Sequence, residues 1–385
     1  MSKTYYSLGL MSGTSGDGVD ASVIKSNGKE DYNVISDNYF KYTNEIYENI
    51  HNLREKINKS QDLKTHSKEL ENLEKEITLY HVDVVKKVIK STSENIDLIG
   101  LHGQTIFHNG NKKISKQLGD GKLLSSSTKK IVVYEFRQND MKNGGNGAPL
   151  APIFHKQLVL QIGFDLPITI FNLGGLANAT HLWTNPFSPE ELVSSANDIG
   201  PGNCLIDLWI RKNSNYKFDI EGNIAKSGKI DKIILDKTFD TWIHKHDTKR
   251  RSLKNLPSLD TNDFDISFVR GLSLEDGAAT LTEYTAKILA FYFNTDKFVN
   301  RKNYDFKKIL TCGGGRKNNF LIESLQKKIN QQVLNIDDFG ANGDFVESQA
   351  FAYLAIRSFL NLPISFPETT GCKAPCTGGV IVKNY

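Results

Sequence analysis

Residues 5–24 of this chain spell YYSLGLMSGTSGDGVDASVI. Two apolar runs, at residues 5–10 and 19–24, flank a loop rich in Gly, Ser, Thr and Asp, which predicts two β-strands joined by a hairpin. A second turn signal, Asn27-Gly28, precedes the aromatic and apolar residues 32–42, which predict a third strand. The segment therefore predicts an antiparallel meander. Because no helix follows the Gly-rich loop, the P-loop and dinucleotide-binding folds are disfavoured.

The bulk composition favours a two-domain globular protein. A chain of 385 residues is longer than one ordinary hydrophobic core, and 39% hydrophobic with 24% charged residues is typical of folded proteins. The formal net charge of +4 comes from bases scattered among nearly as many acids, so we expect no nucleic acid partner. The sequence shows neither a secretory signal pattern nor an apolar run of membrane-spanning length. We therefore expect a cytoplasmic protein without membrane association.

The four cysteines do not form a disulfide scaffold in so long a chain. Cys204, Cys312, Cys372 and Cys376 also lack CxxC spacing. The pair Cys372 and Cys376 would contribute to a metal site only if histidines joined it in space. We expect two unpaired thiols instead.

The rest of the chain alternates between helical and strand patterns. Glu, Lys, Leu and Ile spacing predicts one or two amphipathic helices over residues 44–90, with a solvated face. Strand patterns on either side of Gly174-Gly175 repeat the opening layout, so we expect an internal duplication. HGQT at residues 102–105 is expected to follow a strand end, where ligand-contacting loops are common. The other predicted elements are strands at 96–101, 131–136, 167–172, 177–183 and 308–312, and helices at 319–329 and 346–360.

The first Gly-rich loop is a candidate anion site. Backbone N–H groups in a tight turn can converge on an anion, and missing Cβ atoms let a phosphate approach closely. Thr14 and Ser15 add hydroxyl donors, while Asp17 and Asp20 could hold Mg²⁺ because hard cations take oxygen ligands. A plain hairpin tip is the competing interpretation of one such loop. The presence of three Gly loops in the chain favours anion binding.

The segment NDIGPGN at residues 197–203 is expected to be a loop that leads into a helix beginning near Asn203. Asp198 could act there as a general base or could cap the helix, and both interpretations remain open. Asp207 is a first-turn dipole partner or a carboxylate near a metal. His102 and His108 are expected to be structural histidines. No nucleophile elbow or HExxH motif indicates a hydrolase or zinc enzyme.

The sequence GLMSGTSGDGVDA at residues 9–21 resembles the signature of the anhydro-N-acetylmuramic acid kinase family. Seven blocks in register cover nearly the whole chain, and two positions depart from the family pattern. Gly16 stands where a larger apolar residue is usual, and Glu135 where Asp is common. The other six blocks are HGQT at 102–105, FRxxDxxxGGxGAPL at 136–150, FNLGGLAN at 171–178, DIGPGNCLID at 198–207, CGGG at 312–315 and ESxAFAYLA at 347–355.

This resemblance implies an α/β protein of the actin, Hsp70 and sugar kinase superfamily. Its two ribonuclease H-like domains would enclose an interdomain ATP cleft, as in the actin-like ATPase fold. The N-terminal domain is expected at residues 1–140, completed by residues 362–385, and the C-terminal domain at residues 141–361. A homodimer is also implied by the resemblance alone.

The implied reaction is ATP-dependent opening of 1,6-anhydro-N-acetylmuramic acid by water with phosphorylation of O6, a step of peptidoglycan recycling and amino-sugar metabolism. The products would be N-acetylmuramic acid 6-phosphate and ADP. A kinase for another sugar or an acid, and a non-catalytic ATP-binding actin-like module, are the alternatives. The implied site has Asp198 as the catalytic base and His102, Arg137, Asp140 and Glu347 on the sugar side. ATP would contact Gly13, Thr14, Ser15, Gly16, Asp17, Gly18, Val19, Asp20, Gly174, Gly175, Gly313, Gly314 and Gly315, with Mg²⁺ near Asp17 and Asp20.

Overall fold

The computed structural model describes residues 3–252, 259, 261–295, 304 and 306–383. The chain divides into two compact units. Unit 1 comprises Met1–Gly163 and Asp344–Tyr385, and unit 2 comprises Phe164–Gly343. Each unit contains one β-sheet with helices packed on it.

The strands are β1 (Tyr5–Ser12), β2 (Gly18–Ser26), β3 (Tyr32–Lys41), β4 (Leu98–Asn109), β5 (Ile114–Leu118), β6 (Ile131–Tyr134), β7 (Ile168–Leu173), β8 (Leu176–Asn185), β9 (Ser188–Pro201), β10 (Lys308–Cys312), β11 (Gln332–Asn335) and β12 (Val380–Val382). The α-helices are α1 (Asn44–Lys56), α2 (Asp62–Thr65), α3 (Ser67–Ser91), α4 (Gly121–Thr128), α5 (Gln138–Lys142), α6 (Pro152–Ile162), α7 (Cys204–Asn213), α8 (Asn223–Ser227), α9 (Lys232–Ser252), α10 (Leu274–Thr295), α11 (Asn319–Gln326), α12 (Val346–Phe359) and α13 (Pro367–Thr370).

The two sheets follow one plan. In unit 1 the strand order is β12-β6-β4-β1-β2-β3, and β5 pairs with β4. In unit 2 the order is β11-β10-β7-β8-β9. Each sheet is an antiparallel three-stranded meander extended on the far side of its first strand by two parallel strands. This shared plan confirms the predicted α/β fold with two ribonuclease H-like sheets.

Two glycines on neighbouring strands bring a helix close to the sheet of unit 1. A Cβ atom on Gly9 would lie 1.9 Å from the carbonyl oxygen of Ser348, and one on Gly100 would lie 2.3 Å from that of Phe351. Helix α12 therefore packs backbone against backbone on β1 and β4, which only glycine permits. Apolar side chains of α1 and α3, including Ile50 and Val85, are fully buried in a core with Leu8 and Leu10 of β1.

The observed units have different bounds from the predicted domains. The sequence assigned residues 141–361 to one domain, but α6 and α12 belong to unit 1. Phe154 of α6 lies 5.0 Å from the ring of Tyr32 and 5.8 Å from that of Tyr353. The reason is that the sheet of unit 1 needs a cover on its second face, and these two helices supply it.

Two motifs lie within strands rather than in loops. Strand β4 does not end before residues 102–105 but continues to Asn109 and pairs with β5. Gly103 permits this continuation because its φ of +75° accommodates a local irregularity in the strand. Asp198 similarly lies in β9, which extends to Pro201. Among the described residues, no helix is long and apolar enough to cross a bilayer.

Candidate active site

The loop between β1 and β2 is a tight turn held by side chains from other elements. The Gly16 amide donates to the carbonyl of Gly13 at 3.1 Å, and Gly16 has a φ of +61° that favours glycine. Gln104 Nε2 donates to the carbonyl of Gly13 at 3.0 Å. Arg54 donates to the carbonyl of Thr14, and His51 Nε2 donates to that of Ser15 at 3.0 Å. These contacts fix the carbonyl oxygens of the loop.

The amide groups of the same loop are left available. The N–H groups of Thr14, Ser15 and Asp17 have no hydrogen-bond partner among the residues that the structure describes. Thr14 and Ser15 are exposed. Successive unpaired amides in a turn form a concave anion site, so the loop can accept phosphate oxygens.

Five carboxylates of unit 1 interact electrostatically, and we call them the acidic group: Asp17, Asp20, Asp37, Asp344 and Glu347. Burial first, and the charges of the other four carboxylates after it, together raise the pKa of Asp20 to about 8. Such a concentration of negative charge is costly unless a cation or protons offset it.

Within the acidic group, Asp37 and Asp20 differ in their partners. Asp37 accepts hydrogen bonds from Ser22 at 2.6 Å and from Gln349 at 2.9 Å. No donor among the described parts of the chain contacts the carboxylate of Asp20. Since Mg²⁺ prefers carboxylate oxygens and water, the donor set around Asp20 fits that ion. Asp17 is the predicted companion of Asp20 and interacts with it electrostatically, although Ser15 and Tyr39 already donate to the Asp17 carboxylate.

Three of the four predicted sugar-side residues lie together, and we call them the polar cluster: His102, Arg137 and Asp140. Nδ1 of His102 donates to the carbonyl of Gly103 at 2.9 Å, and its Nε2 accepts from Arg137 at 2.8 Å. Arg137 also donates to the carbonyl of Gly147 at 2.7 Å, while the Gly147 amide donates to Asp140 at 2.7 Å. Burial first, and the Arg137 charge second, hold the pKa of His102 well below its usual value.

The fourth predicted residue, Glu347, lies in the first turn of α12 and interacts with Asp20. The structure therefore associates it with the acidic group. His108 lies near the polar cluster, where its Nδ1 contacts the Ser115 hydroxyl at 2.9 Å. Burial lowers the pKa of His108 to about 3, so it is neutral at physiological pH.

In unit 2 the predicted Gly turns meet at the start of α7. The carbonyl of Gly174 accepts from the Asn203 amide at 2.9 Å, and that of Gly175 accepts from Gly202 at 2.9 Å. A Cβ atom on Gly315 would lie 2.9 Å from the side-chain nitrogen of Asn203. The Gly174-Gly175 turn, the helix N-terminus and residues 313–315 thus form one surface of small residues.

Asp198 is neither in a loop nor at a helix cap. It pairs with Asn178 across β8 and β9, next to an irregularity in register that leaves Ile199 without an opposite residue. Asn203 is the N-cap of α7, so the capping interpretation of Asp198 is wrong. Oδ2 of Asp198 accepts a hydrogen bond from the amide of Leu259 at 2.9 Å. Irregularities of this kind re-aim side chains near functional sites.

Sequence patterns did not predict the side chains that support the loop between β1 and β2, residues 13–17, which we call the phosphate loop. Arg54 and His51 lie on α1, which was expected to present a solvated face. Both donate to backbone carbonyls far away in the chain, and Arg54 also donates to the carbonyl of Thr105 at 2.7 Å. A basic residue in a Lys- and Glu-rich helix gives no sequence signal of such a role.

Comparison with known proteins gives consistent results. The family model for anhydro-N-acetylmuramic acid kinase matches residues 5–384. A protein of that name from Pelagibacter ubique is 49% identical over 387 residues, covering 100% of both chains. A protein of the same name from Methylobacterium nodulans is 35% identical, covering 98% of this chain and 99% of its own. Another from Zymomonas mobilis is 36% identical, covering 97% of this chain and 98% of its own.

Among solved structures, (R)-2-hydroxyglutaryl-CoA dehydratase component A from Acidaminococcus fermentans aligns with a TM-score of 0.42 at 12% identity, covering 92% of this chain and 98% of that one. Family membership does not depend on that distant similarity. It follows from the full-length sequence matches, which do not favour the alternative of a non-catalytic module or of another kinase. The chain belongs to the anhydro-N-acetylmuramic acid kinase family.

Proposed function

We propose that this protein is an ATP-dependent kinase that opens 1,6-anhydro-N-acetylmuramic acid with water and phosphorylates its O6. The observation that carries the proposal is the uninterrupted family match from residue 5 to residue 384. The phosphate loop, the polar cluster, Asp198 and the Gly turns of unit 2 all lie inside the matched range. The products are N-acetylmuramic acid 6-phosphate and ADP. A cytoplasmic location and a homodimer stay predictions.

Asp198 is the proposed general base. Its carboxylate takes a proton from water as the water oxygen bonds to the anomeric carbon, and the bond from that carbon to O6 breaks. The freed O6 accepts the γ-phosphoryl group, and ADP leaves. The hydrogen bond from the Leu259 amide supports this role because it orients the Asp198 carboxylate. General-base catalysis of this kind contributes roughly a hundredfold to ten-thousandfold.

ATP is the proposed phosphoryl donor, and residues 13–20 are its proposed phosphate contacts. The unpaired amides of Thr14, Ser15 and Asp17 support this role because they can donate to phosphate oxygens without breaking an existing bond. Gly174, Gly175 and residues 313–315 are the proposed contacts in unit 2. Their lack of side chains lets a nucleotide approach the backbone closely.

Asp20 and Asp17 are the proposed residues that hold Mg²⁺. The ion would neutralise phosphate charge when bound with ATP. Support comes from the raised pKa of Asp20, because a carboxylate surrounded by other carboxylates favours a cation over free ionisation. Asp37 is less suited, since Ser22 and Gln349 already donate to its oxygens.

The polar cluster is the proposed sugar contact, and Glu347 is proposed as a further one. His102, held neutral, and Arg137, held by the carbonyl of Gly147, offer a fixed orientation to hydroxyl and carboxylate groups. The sugar carries a lactyl carboxylate, and Arg binds such groups through paired N–H donors.

The test compares two sugars with Mg-ATP. The anhydro sugar and the ordinary reducing sugar are each incubated with the protein, and ADP and sugar phosphate are quantified. The proposal predicts turnover of the anhydro sugar and formation of one ADP for each sugar phosphate. Turnover of the reducing sugar alone would leave a kinase and exclude the bond-opening mechanism.

A further inference from the structure

Two thiols and the Asp140 carboxylate of the polar cluster meet in unit 1. One ligand atom each of Asp140, Cys372 and Cys376 lies within 4.8 Å of the others. The two cysteines are free, and the proposed kinase reaction uses neither of them. The cysteines come from the C-terminal segment, while Asp140 lies in α5.

We propose that Cys372, Cys376 and Asp140 bind a Zn²⁺ ion. Structural zinc sites typically use two cysteines separated by two to four residues, and this pair is separated by three. Tetrahedral zinc with Zn–S bonds of about 2.3 Å and Zn–O bonds of about 2.1 Å needs ligand atoms roughly 3.5–4 Å apart. The observed separations reach that geometry through small side-chain shifts, and water completes the fourth position.

Two of the three proposed ligands are buried, so bulk solvent has little access to them. Asp140 is 1% exposed and Cys372 is 2% exposed, whereas Cys376 is partly exposed. The residues between the cysteines, 373–375, are exposed. The segment therefore forms a short loop whose thiols face the protein, and an ion can enter past Cys376.

Existing hydrogen bonds already orient two of the three ligands, Asp140 and Cys376. Asp140 accepts from the Thr370 hydroxyl at 2.6 Å through Oδ1, and its other oxygen accepts from the Gly147 amide. The Ser365 hydroxyl lies 3.0 Å from Cys376 Sγ and can donate to a thiolate. Each carboxylate oxygen keeps a second lone pair for a metal. Such outer contacts are typical of metal sites, where they fix the ligand orientation.

The ion would join two segments that are distant in sequence. Backbone contacts already connect them, because the Asn146 amide donates to Thr370 at 2.8 Å and the Lys373 amide donates to Asn143 at 3.1 Å. Zinc would add a stronger connection between the C-terminal segment and the loop that carries Gly147. Since Gly147 accepts from Arg137, a bound ion would also stiffen the polar cluster. The zinc proposal itself does not rest on the kinase proposal.

The test titrates reduced, metal-free full-length protein with Co²⁺ and then with Zn²⁺. We expect one Co²⁺ per chain with a thiolate-to-cobalt charge-transfer band in the near ultraviolet, displaced by Zn²⁺. Cys372→Ser and Cys376→Ser should each weaken binding by more than about a hundredfold, because loss of a ligand exceeds the ten- to hundredfold cost of losing an outer contact. Asp140→Asn should weaken binding but keep the band.

Cys204→Ser, in α7 of unit 2, is the matched control and should leave binding unchanged. Thermal unfolding of each variant checks that it is folded, and Zn²⁺ should raise the midpoint of the wild type and of Cys204→Ser only. The proposal is overturned if the reduced wild type binds no Co²⁺, or if the band survives in both Cys372→Ser and Cys376→Ser. Formation of a Cys372–Cys376 disulfide in place of metal binding would also overturn it.

Discussion

Nε2 of His102 accepts a hydrogen bond from Nη2 of Arg137 at 2.8 Å. This geometry requires a neutral imidazole with its proton on Nδ1, where the carbonyl of Gly103 accepts it. The guanidinium of Arg137 thus has a neutral acceptor inside the protein.

Replacing His102 by Phe should destabilise the protein by about 1.5–3 kcal/mol, since a hydrogen bond to a charged group is lost while the ring contact with Phe351 is kept. Urea unfolding measures this change. His66→Gln is the control, because solvent screens the exposed pair of His66 with Glu69 and its loss should change the free energy of unfolding much less. Equal effects of the two substitutions would contradict the buried contact.

The stability of unit 1 should fall as the pH drops from 7 to 5. Burial lowers the pKa of His81 to about 4, those of His108 and His155 to about 3, and that of His102 further below its usual value. The unfolded chain binds protons at these histidines near pH 6.5, whereas the folded chain does not. Each of these histidines therefore lowers the free energy of unfolding by up to about 1.4 kcal/mol for every unit by which the pH falls. Asp20 and Asp37 make a contribution of the opposite sign, because their raised pKa values favour the folded state as the pH falls.

The four histidines outnumber that opposing contribution, so the net free energy of unfolding should decrease. Chemical unfolding at several pH values measures the slope. His81→Gln should reduce the slope by about one proton, or ~1.4 kcal/mol per pH unit, relative to the wild type. Parallel curves for the two proteins would show that His81 takes up protons equally in the folded and unfolded states, which would contradict its lowered pKa.

Mg²⁺ should displace a proton from Asp20. At pH 7 a carboxyl with a pKa of about 8 is mostly protonated, so cation binding must release the proton. Affinity for Mg²⁺ should therefore rise up to about tenfold per pH unit below 8. A pH indicator records the release, which Asp20→Asn should abolish. Asp236→Asn, at an exposed pair with Lys287 in unit 2, is the control. Proton release that persists in Asp20→Asn would assign the ion to other groups.

Gly16→Ala should weaken ATP binding. Gly16 has a φ of +61°, and an added Cβ would lie 3.0 Å from Cγ2 of Ile50, so the phosphate loop must shift. A non-glycine residue in this backbone region costs about 1–3 kcal/mol. Gly163→Ala is the matched control, because Gly163 has a φ of +73° and no atom within 4 Å of its added Cβ.

Both variants should lose stability through backbone strain, but only Gly16→Ala should raise the KM for ATP. Steady-state kinetics with varied ATP separates the two effects. An unchanged KM for ATP in Gly16→Ala would show that the phosphate loop is not part of the nucleotide site. Gly16 also departs from the family pattern, which has a larger apolar residue at this position. Its positive φ explains why glycine is favoured here.

Sequence patterns predicted the three strands of the first meander and the first two of the second, because alternating burial and turn residues are local properties. They ended β4 too early and did not predict β9, since Gly103 and the Gly200-Pro201 pair look like breaks until cross-strand pairing is known. The position of α12 depended on Gly9 and Gly100, which act only through a distant helix backbone. No local pattern encodes such a contact.

The candidate site also has parts that local sequence predicts and parts that depend on contacts between distant segments. Its Gly loops and carboxylates were predicted because their residue types are unusual in ordered segments. The side chains that support the phosphate loop were not predicted. Arg54 and His51 donate to backbone carbonyls, which every residue type has, so the sequence gives no sign of these contacts. The approach of Asp140 to Cys372 and Cys376 was also beyond the sequence, which offered histidines as the expected partners.

The central claim is that Asp198 is the general base of sugar opening, and turnover of the anhydro sugar by Asp198→Asn tests it most directly. We expect kcat to fall by about a hundredfold to ten-thousandfold, with the dissociation constant for ATP nearly unchanged and Asp236→Asn fully active. A wild-type kcat in folded, ATP-binding Asp198→Asn would contradict the account.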